Sequence, residues 1–463
     1  MEENTPTVSL VSCMHFVRRG VAKEVPEKIE LTEKELEKII KQTADELRLT
    51  ERGEDVSDDE AEAGPSSARP PPENPNDEFD FEKYDEEDST NPVGIGTVAT
   101  LPNLGDLSDN VQIRTDGPDS DEEDDIIKPS DNLLLVGHVE SDASVLEVYI
   151  FNKEEDSFYV HHDIVLPWFP LCIEWLSHDP SDTKPGNLCA LGGMDSVIQV
   201  WDLDIENCLE PAFKLGRKPN KRKKTQRVGH KNAVLDMSWN RNFTHVLASG
   251  SADNTVLLWD LDQGTPHTKL DYFQDKVQSL SFHLREPQTL LSGSCDGAAR
   301  VSDCRDAAAH RAWRLGPEIE RVAWDPHNPY CFAMSNNEGR VAYVDVRHEQ
   351  PVWDIAAHDK EVTGLILSEI PGLMVTVSTD GKLKTWDIQR SPPAQVSERA
   401  SRVGQALCAA ACPEAPFSLA LGGDNKECFI EMLDLAANEQ VSSLFEPRAA
   451  AAAPAAGATA MET

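Results

Sequence analysis

The sequence predicts an all-β chain folded as a β-propeller of seven blades, with a helix and an acidic disordered insertion near its N-terminus. Three observations carry that prediction. VLASGSADNTVLLWD (246–260) reads as two short strands around a tight turn, and LMVTVSTDGKLKTWD (373–387) repeats its residue types at the same offsets. Equivalents of the terminal aromatic follow at Trp201, Trp259, Ser302, Val344, Trp386 and Leu433, spaced 58, 43, 42, 42 and 47 residues apart. An upstream marker, Trp175, Trp239, Phe282 and Trp324, keeps nearly the same period at 64, 43 and 42 residues. Two independent markers with one period define a repeat of about 42 residues, long enough for four short strands and a turn signal.

The first blade is read as two separated pieces. VSLVSCMHFV within residues 1–17 supplies its inner strand, and LLLVGHVESDASVLEVYIFN (133–152) supplies the next two. Residues 18–125 are then an insertion. LTEKELEKIIKQTADELRL opens it as a helix, with Thr32 and Glu35 forming a capping box and Leu36, Ile39, Ile40, Thr43 and Leu47 on one face. The chain then turns acidic: residues 45–125 hold 27 Asp/Glu against 5 Lys/Arg, out of a formal charge of −39 for the whole protein. With so few apolar side chains the tract cannot offset its ordering entropy, which predicts disorder and an attraction for basic partners. Ser57 in SDDE and Ser120 in SDEED are followed by carboxylates and resemble sites of an acid-directed kinase.

The propeller proper is read over 126–446. A period of 40–45 residues with terminal Trp-Asp pairs resembles the WD-repeat family. An acidic residue stands six positions before the terminal marker in five units, at Asp195, Asp253, Asp296, Glu338 and Asp380. In two units a histidine precedes it. The WD-repeat resemblance implies buried hydrogen-bond networks at His230, Ser249, Asp253 and Trp259, and at His358, Thr376, Asp380 and Trp386. A Ser-His-Asp catalytic reading fails because the set recurs from blade to blade, whereas a catalytic site appears once. EQVSSLF (439–445) is assigned as a strand completing the last blade, and 447–463 as a disordered Ala-rich tail.

The long spacing of 58 is explained by a basic loop, 214–228, containing Lys218, Lys221, Arg222, Lys223 and Lys224. Three readings stand beside one another: a solvated charged loop, a nuclear-import signal around KRKK, or weak, sequence-independent contact with nucleic-acid phosphates. Asp303 with Arg305, and Asp345 with Arg347, resemble half of the Trp-Asp-x-Arg box of cullin-RING substrate receptors. His161–Asp163 (HHD) could suggest a metal, but no third His or Cys stands at a suitable spacing, so the segment is assigned to a strand. Ten cysteines without a CxxC pair fit a reducing compartment better than disulfides or a zinc site. No apolar run approaches the ~20 residues of a membrane span. No phosphate-loop, nucleophile-elbow or HExxH pattern is present, and the sequence predicts neither enzyme activity nor a cofactor.

A closer resemblance covers residues 8 to 390. VRRGVAKEVPEKIELTEKELEKII, IIKPSDNLLLVG, FNKEEDSFYVHHDIVL, VIQVWDLDIENCLEP and HVLASGSADNTVLLWD, including segments outside the repeats, are similar to the periodic tryptophan protein 1 family. That resemblance implies a non-enzymatic scaffold of the nucleus and nucleolus, associated with chromatin, ribosomal RNA gene transcription and ribosome biogenesis. Implied partners are nuclear proteins: histones or other basic proteins for the acidic arm, and the RNA polymerase I machinery. Two alternatives remain open at this point: a pre-ribosomal assembly factor that does not bind chromatin, and a cullin-RING substrate receptor.

Overall fold

In the computed structural model, which describes residues 9–28, 126–141, 143–219, 224–306 and 308–452, the repeat is realised as seven antiparallel sheets. Blade 1 is built from Ser9–Val17, Asn132–Glu140, Ala143–Asn152 and Ser157–Leu166, hydrogen-bonded in that order. Blades 2 to 7 begin with the inner strands Pro170–Leu176, Val234–Trp239, Val277–Phe282, Ile319–Trp324, Val362–Leu367 and Ala406–Ala411. The helix expected at 31–49 and the acidic tract lie outside the described residues.

Burial follows strand position. Second strands such as Val246–Ser251 and Leu373–Ser378 are covered on both faces and read as nearly continuous apolar or small runs. The outermost strand Thr265–Leu270 has one wet face and alternates exposed and half-buried residues. The turn between second and third strands needs a left-handed residue, found at Asn254 (φ 64°), Gly297 (82°), Gly339 (81°) and Gly381 (76°). At Gly339 a Cβ would stand 2.1 Å from the carbonyl oxygen of His358, so only glycine fits.

The ring closes between blades 7 and 1. Val11, Met14 and Phe16 pack with Cys408, Cys412 and Ala420, and Asn132 Nδ2 donates to Glu414 Oε2 at 2.6 Å. Blade 7 differs from expectation: it has three strands, and residues 439–445 are helical rather than extended. The helix, Glu439–Ala452, also takes in residues 447–452, which the sequence assigned to a disordered tail. Val441, Leu444, Phe445 and Arg448 fall at helical spacing. Val441 and Phe445 are fully buried against the core of blades 6 and 7. The Asn438 side chain accepts from Gln440 N at 2.9 Å, satisfying one orphan donor of the first turn, and the alanine run favours helix. Arg448 anchors the far end through two bonds to Asp387, at 2.8 and 3.0 Å.

Candidate interaction surfaces and the central channel

In blade 6 the buried polar chain can be written proton by proton. His358 Nδ1 lies 3.0 Å from Asp380 Oδ2, and a carboxylate can only accept, so Nδ1 carries the proton. Burial lowers the pKa of His358 below the usual imidazole value despite the opposing pull of Asp380, so the ring is neutral and Nε2 accepts. It does so from Thr376 Oγ1 at 2.8 Å, and the same hydroxyl oxygen accepts from Trp386 Nε1 at 2.9 Å. Blade 3 joins the same groups in the same order. His230 lies 3.2 Å from Asp253 Oδ2 and 2.7 Å from Ser249 Oγ, which accepts from Trp259 Nε1 at 2.7 Å. Burial pushes Asp253 up, but bonds from His230, Thr255 and the Lys231 amide outweigh it and hold the carboxyl well below its ordinary value. Both hydroxyls are 0% exposed, beyond the reach of any substrate.

Blades lacking the set show what it supplies. Leu191 stands ten residues before Trp201, where a hydroxyl would be needed, and Trp201 Nε1 is buried without a hydrogen-bond partner. In blade 4, Ser302 replaces the aromatic and Asp296 turns instead to Arg300, 2.7 Å away.

The basic loop is rooted on the blade 3 network. Arg217 and Val228 form an isolated bridge, flanked by Gly216 (φ 95°) and Gly229 (φ 99°). A Cβ on Gly229 would meet the Trp259 ring at 2.7 Å, so the stem lies directly on the buried indole. Lys218 pairs with Asp195 at 3.1 Å, and Lys224 is exposed in a left-handed turn (φ 51°). Lys221, Arg222 and Lys223 lie outside the described residues, as do Ser57 and Ser120. Arg305 and Arg347 are exposed, and each folds back on its own Asp303 or Asp345 partner, at 2.6 and 2.5 Å. Arg347 also stacks over the Tyr330 ring, 4.7 Å from its centroid, and Arg305 lines one pocket with Phe243, so large apolar side chains share this surface. Phe243, Leu284 and Tyr330 are exposed by 42%, 48% and 47% in the turns between first and second strands of three successive blades, 3, 4 and 5.

Sequence reasoning missed the central channel. Every inner strand carries a β-bulge, and in blades 2 to 5 the residue after it falls three positions before the inner-strand marker. The seven residues after the bulges, Cys13, Cys172, Asp236, Ser279, Arg321, Gly364 and Cys408, line a cavity of ≈ 230 Å³ on the axis. Polar side chains around it bond each blade to the next. Ser12 Oγ donates to Pro170 O at 2.7 Å, and Glu174 Oε1 accepts from Trp239 N at 3.1 Å. Asp236 and Ser279 accept from Leu280 N (2.7 Å) and Val322 N (3.2 Å). Arg321 Nε donates to Thr363 O at 3.0 Å, and Thr363 Oγ1 to Ala406 O at 2.7 Å. Cys408 Sγ completes the circuit with Val11 O at 3.7 Å. Burial pushes the Glu174 carboxyl up to about 8, against the pull of Arg241, and pushes nearby His15 down to about 4. Where these two groups approach at 3.8 Å, burial thus disfavours the charged form of both.

Closed blades, Trp-Asp strand ends and recurring His-Ser/Thr-Asp-Trp bonding define a WD-repeat propeller. Residues 221–260 match the model of the WD domain, G-beta repeat family. Over 90% of its length the chain is 43% identical to a periodic tryptophan protein 1 homolog of Drosophila melanogaster, covering 93% of that protein. It is 33% identical to an uncharacterized WD repeat-containing protein of Schizosaccharomyces pombe, over 95% of this chain and 92% of that one. Identity to periodic tryptophan protein 1 of Saccharomyces cerevisiae is 28%, over 94% of this chain and 90% of the yeast protein. The chain belongs to the periodic tryptophan protein 1 family.

Proposed function

We propose that this protein is a non-enzymatic scaffold of the nucleus and nucleolus that acts in ribosome biogenesis and associates with chromatin to support RNA polymerase I transcription of ribosomal RNA genes. The observation that carries the reading is family similarity over 90% of the chain, at 43% identity. The chemistry of the chain fits it. The acidic tract suits histones or other basic proteins, while the apolar side chains of Phe243, Leu284 and Tyr330 give a folded partner a foothold on rigid turns. The basic loop, stiffened at its stem, serves import and weak contact with phosphates.

The test is capture of the tagged full-length protein from nuclear extract, divided between DNase and RNase treatment. Recovery of histones and RNA polymerase I subunits after both nucleases supports the proposal. Loss of all partners on RNase treatment, with ribosomal assembly factors alone recovered before it, overturns the chromatin part and leaves the pre-ribosomal role.

A further inference from the structure

A pair of histidines on the outer strand of blade 1 meets a carboxylate from blade 2 in a way that neither the repeat nor the proposed scaffold role uses. Adjacent residues of a strand ordinarily face opposite sides of the sheet. In Ser157–Leu166 a bulge breaks that rule: Val148 pairs with His162 and Tyr149 with Val160, leaving His161 as the extra residue. The two imidazoles thereby come together, with Nδ1 to Nδ1 at 2.9 Å and ring planes at 81°. Glu206, on the short segment Ile205–Glu206 that follows the Trp-Asp pair of blade 2, brings Oε1 to 3.8 Å from His161 Nδ1. No third His or Cys stands near the histidine pair in the sequence. The fold supplies a carboxylate from 44 residues further on.

We infer that His161, His162 and Glu206 form a binding site for a divalent transition-metal ion of the zinc class. One ligand atom from each residue lies within 4.8 Å of the other two. At a metal–nitrogen length of about 2.0–2.1 Å, ligands of an ideal tetrahedral ion stand roughly 3.3 Å apart, and the observed 2.9 and 3.8 Å bracket that edge. A second observation points into the same space. Glu206 is 7% exposed, and its Oε1 is buried without a hydrogen-bond partner. A bond between the two imidazoles alone would leave the carboxylate oxygen unserved, whereas an ion between the three side chains takes it as a ligand. The other oxygen, Oε2, is held by Lys28 Nζ at 3.5 Å, which orients the carboxylate with Oε1 toward the histidines. Two imidazoles and a carboxylate suit zinc, with water as the fourth ligand. The His161 side chain is 1% exposed, so the role is a clip rather than a catalytic centre. It would fasten the outer edge of blade 1 to Ile205–Glu206, whose parallel partner Glu27–Lys28 is the last described segment before the insertion.

The test uses the full-length chain, stripped with a chelator and titrated with zinc against a chromophoric competitor, then with cobalt for its absorption spectrum. We expect one zinc per chain, a rise in the thermal midpoint, and tetrahedral cobalt bands without a thiolate charge-transfer band. Glu206→Gln should bind roughly tenfold more weakly or worse and lose the thermal shift, while keeping the metal-free midpoint of the parent. Equal zinc affinity in parent and Glu206→Gln overturns the site, and so does a thiolate band, which would move the ion to the cysteines. Should the variant fail to fold, the cobalt spectrum of the parent decides the matter: absence of tetrahedral nitrogen–oxygen bands sinks the proposal.

Discussion

Thr376→Val is the sharpest probe of the blade network because it changes a hydroxyl to a methyl at nearly constant volume, leaving no cavity to account for. Thr376 is 0% exposed, and its oxygen serves two partners at once, His358 Nε2 at 2.8 Å and Trp386 Nε1 at 2.9 Å. Removing it orphans both. A buried polar group left unpaired costs about 1–3 kcal/mol, so the pair sets an expected loss of about 2–6 kcal/mol, a large share of the roughly 5–15 kcal/mol that typically holds a domain. The assay is the urea-denaturation midpoint at unchanged slope, since a changed slope would signal a different folded or unfolded state.

A cycle with Trp386→Phe isolates the cause. Phenylalanine has no N–H, so on that background Thr376→Val orphans only the imidazole nitrogen and should cost roughly 1–3 kcal/mol less than in the parent. Additive effects of the two substitutions, or a loss below about 0.5 kcal/mol for Thr376→Val alone, would show that the hydroxyl is not the shared partner and refute the argument.

Acidification should destabilise the fold through histidines held neutral. His358 is lowered by burial and His15 is pushed to about 4, so their stabilisation is complete above the unfolded value of 6.5 and is lost as pH falls toward 4, a slope that His15→Asn should flatten in pH-dependent denaturation. Glu174 has the opposite sign: with its carboxyl raised from 4.5 to about 8, stability is lost as pH climbs through that window, and Glu174→Gln should gain stability relative to the parent at pH 8 but not at pH 5. Arg448→Ala removes both bonds to Asp387, whose side chain is 1% exposed, and should weaken docking of Glu439–Ala452 by about 1–3 kcal/mol; earlier proteolytic cleavage within that helix would show it. Changing Lys221, Arg222 and Lys223 together to Ala should abolish nuclear accumulation of a fluorescent fusion and flatten the salt dependence of any nucleic-acid binding, without moving the denaturation midpoint.

How much of this was legible follows from what kind of regularity each feature leaves. The tetrads repeat residue types at fixed offsets, so Ser249 ten before Trp259 and Thr376 ten before Trp386 mark their blades in the sequence. The split first blade was legible because two apolar strands, Ser9–Val17 and Asn132–Glu140, stood on either side of a polar tract; the closing contact with blade 7 was not, since the last unit lacks its terminal Trp. The C-terminal helix was not, because EQVSSLF is too short for its spacing to separate a 3.6 from a 2.0 period, and the deciding contacts of Phe445 and Arg448 reach back to blade 6.

The channel and the histidine pair escaped for a deeper reason. Around the axis the repeat conserves a position and not a chemistry: Cys, Cys, Asp, Ser, Arg, Gly and Cys occupy one register, unified only by a bulge that composition does not announce. Counting three back from Trp175, Trp239, Phe282 and Trp324 finds Cys172, Asp236, Ser279 and Arg321, so the marker already in hand held the channel's address. The histidine pair had no such address. Its geometry depends on a bulge in blade 1 and a carboxylate after blade 2, two events that only the closed ring brings within 4.8 Å. Repetition therefore reveals the scaffold, and function is better sought where a blade departs from its repeat: the rooted basic loop, the helix replacing a strand, and the bulge that turns two histidines toward Glu206.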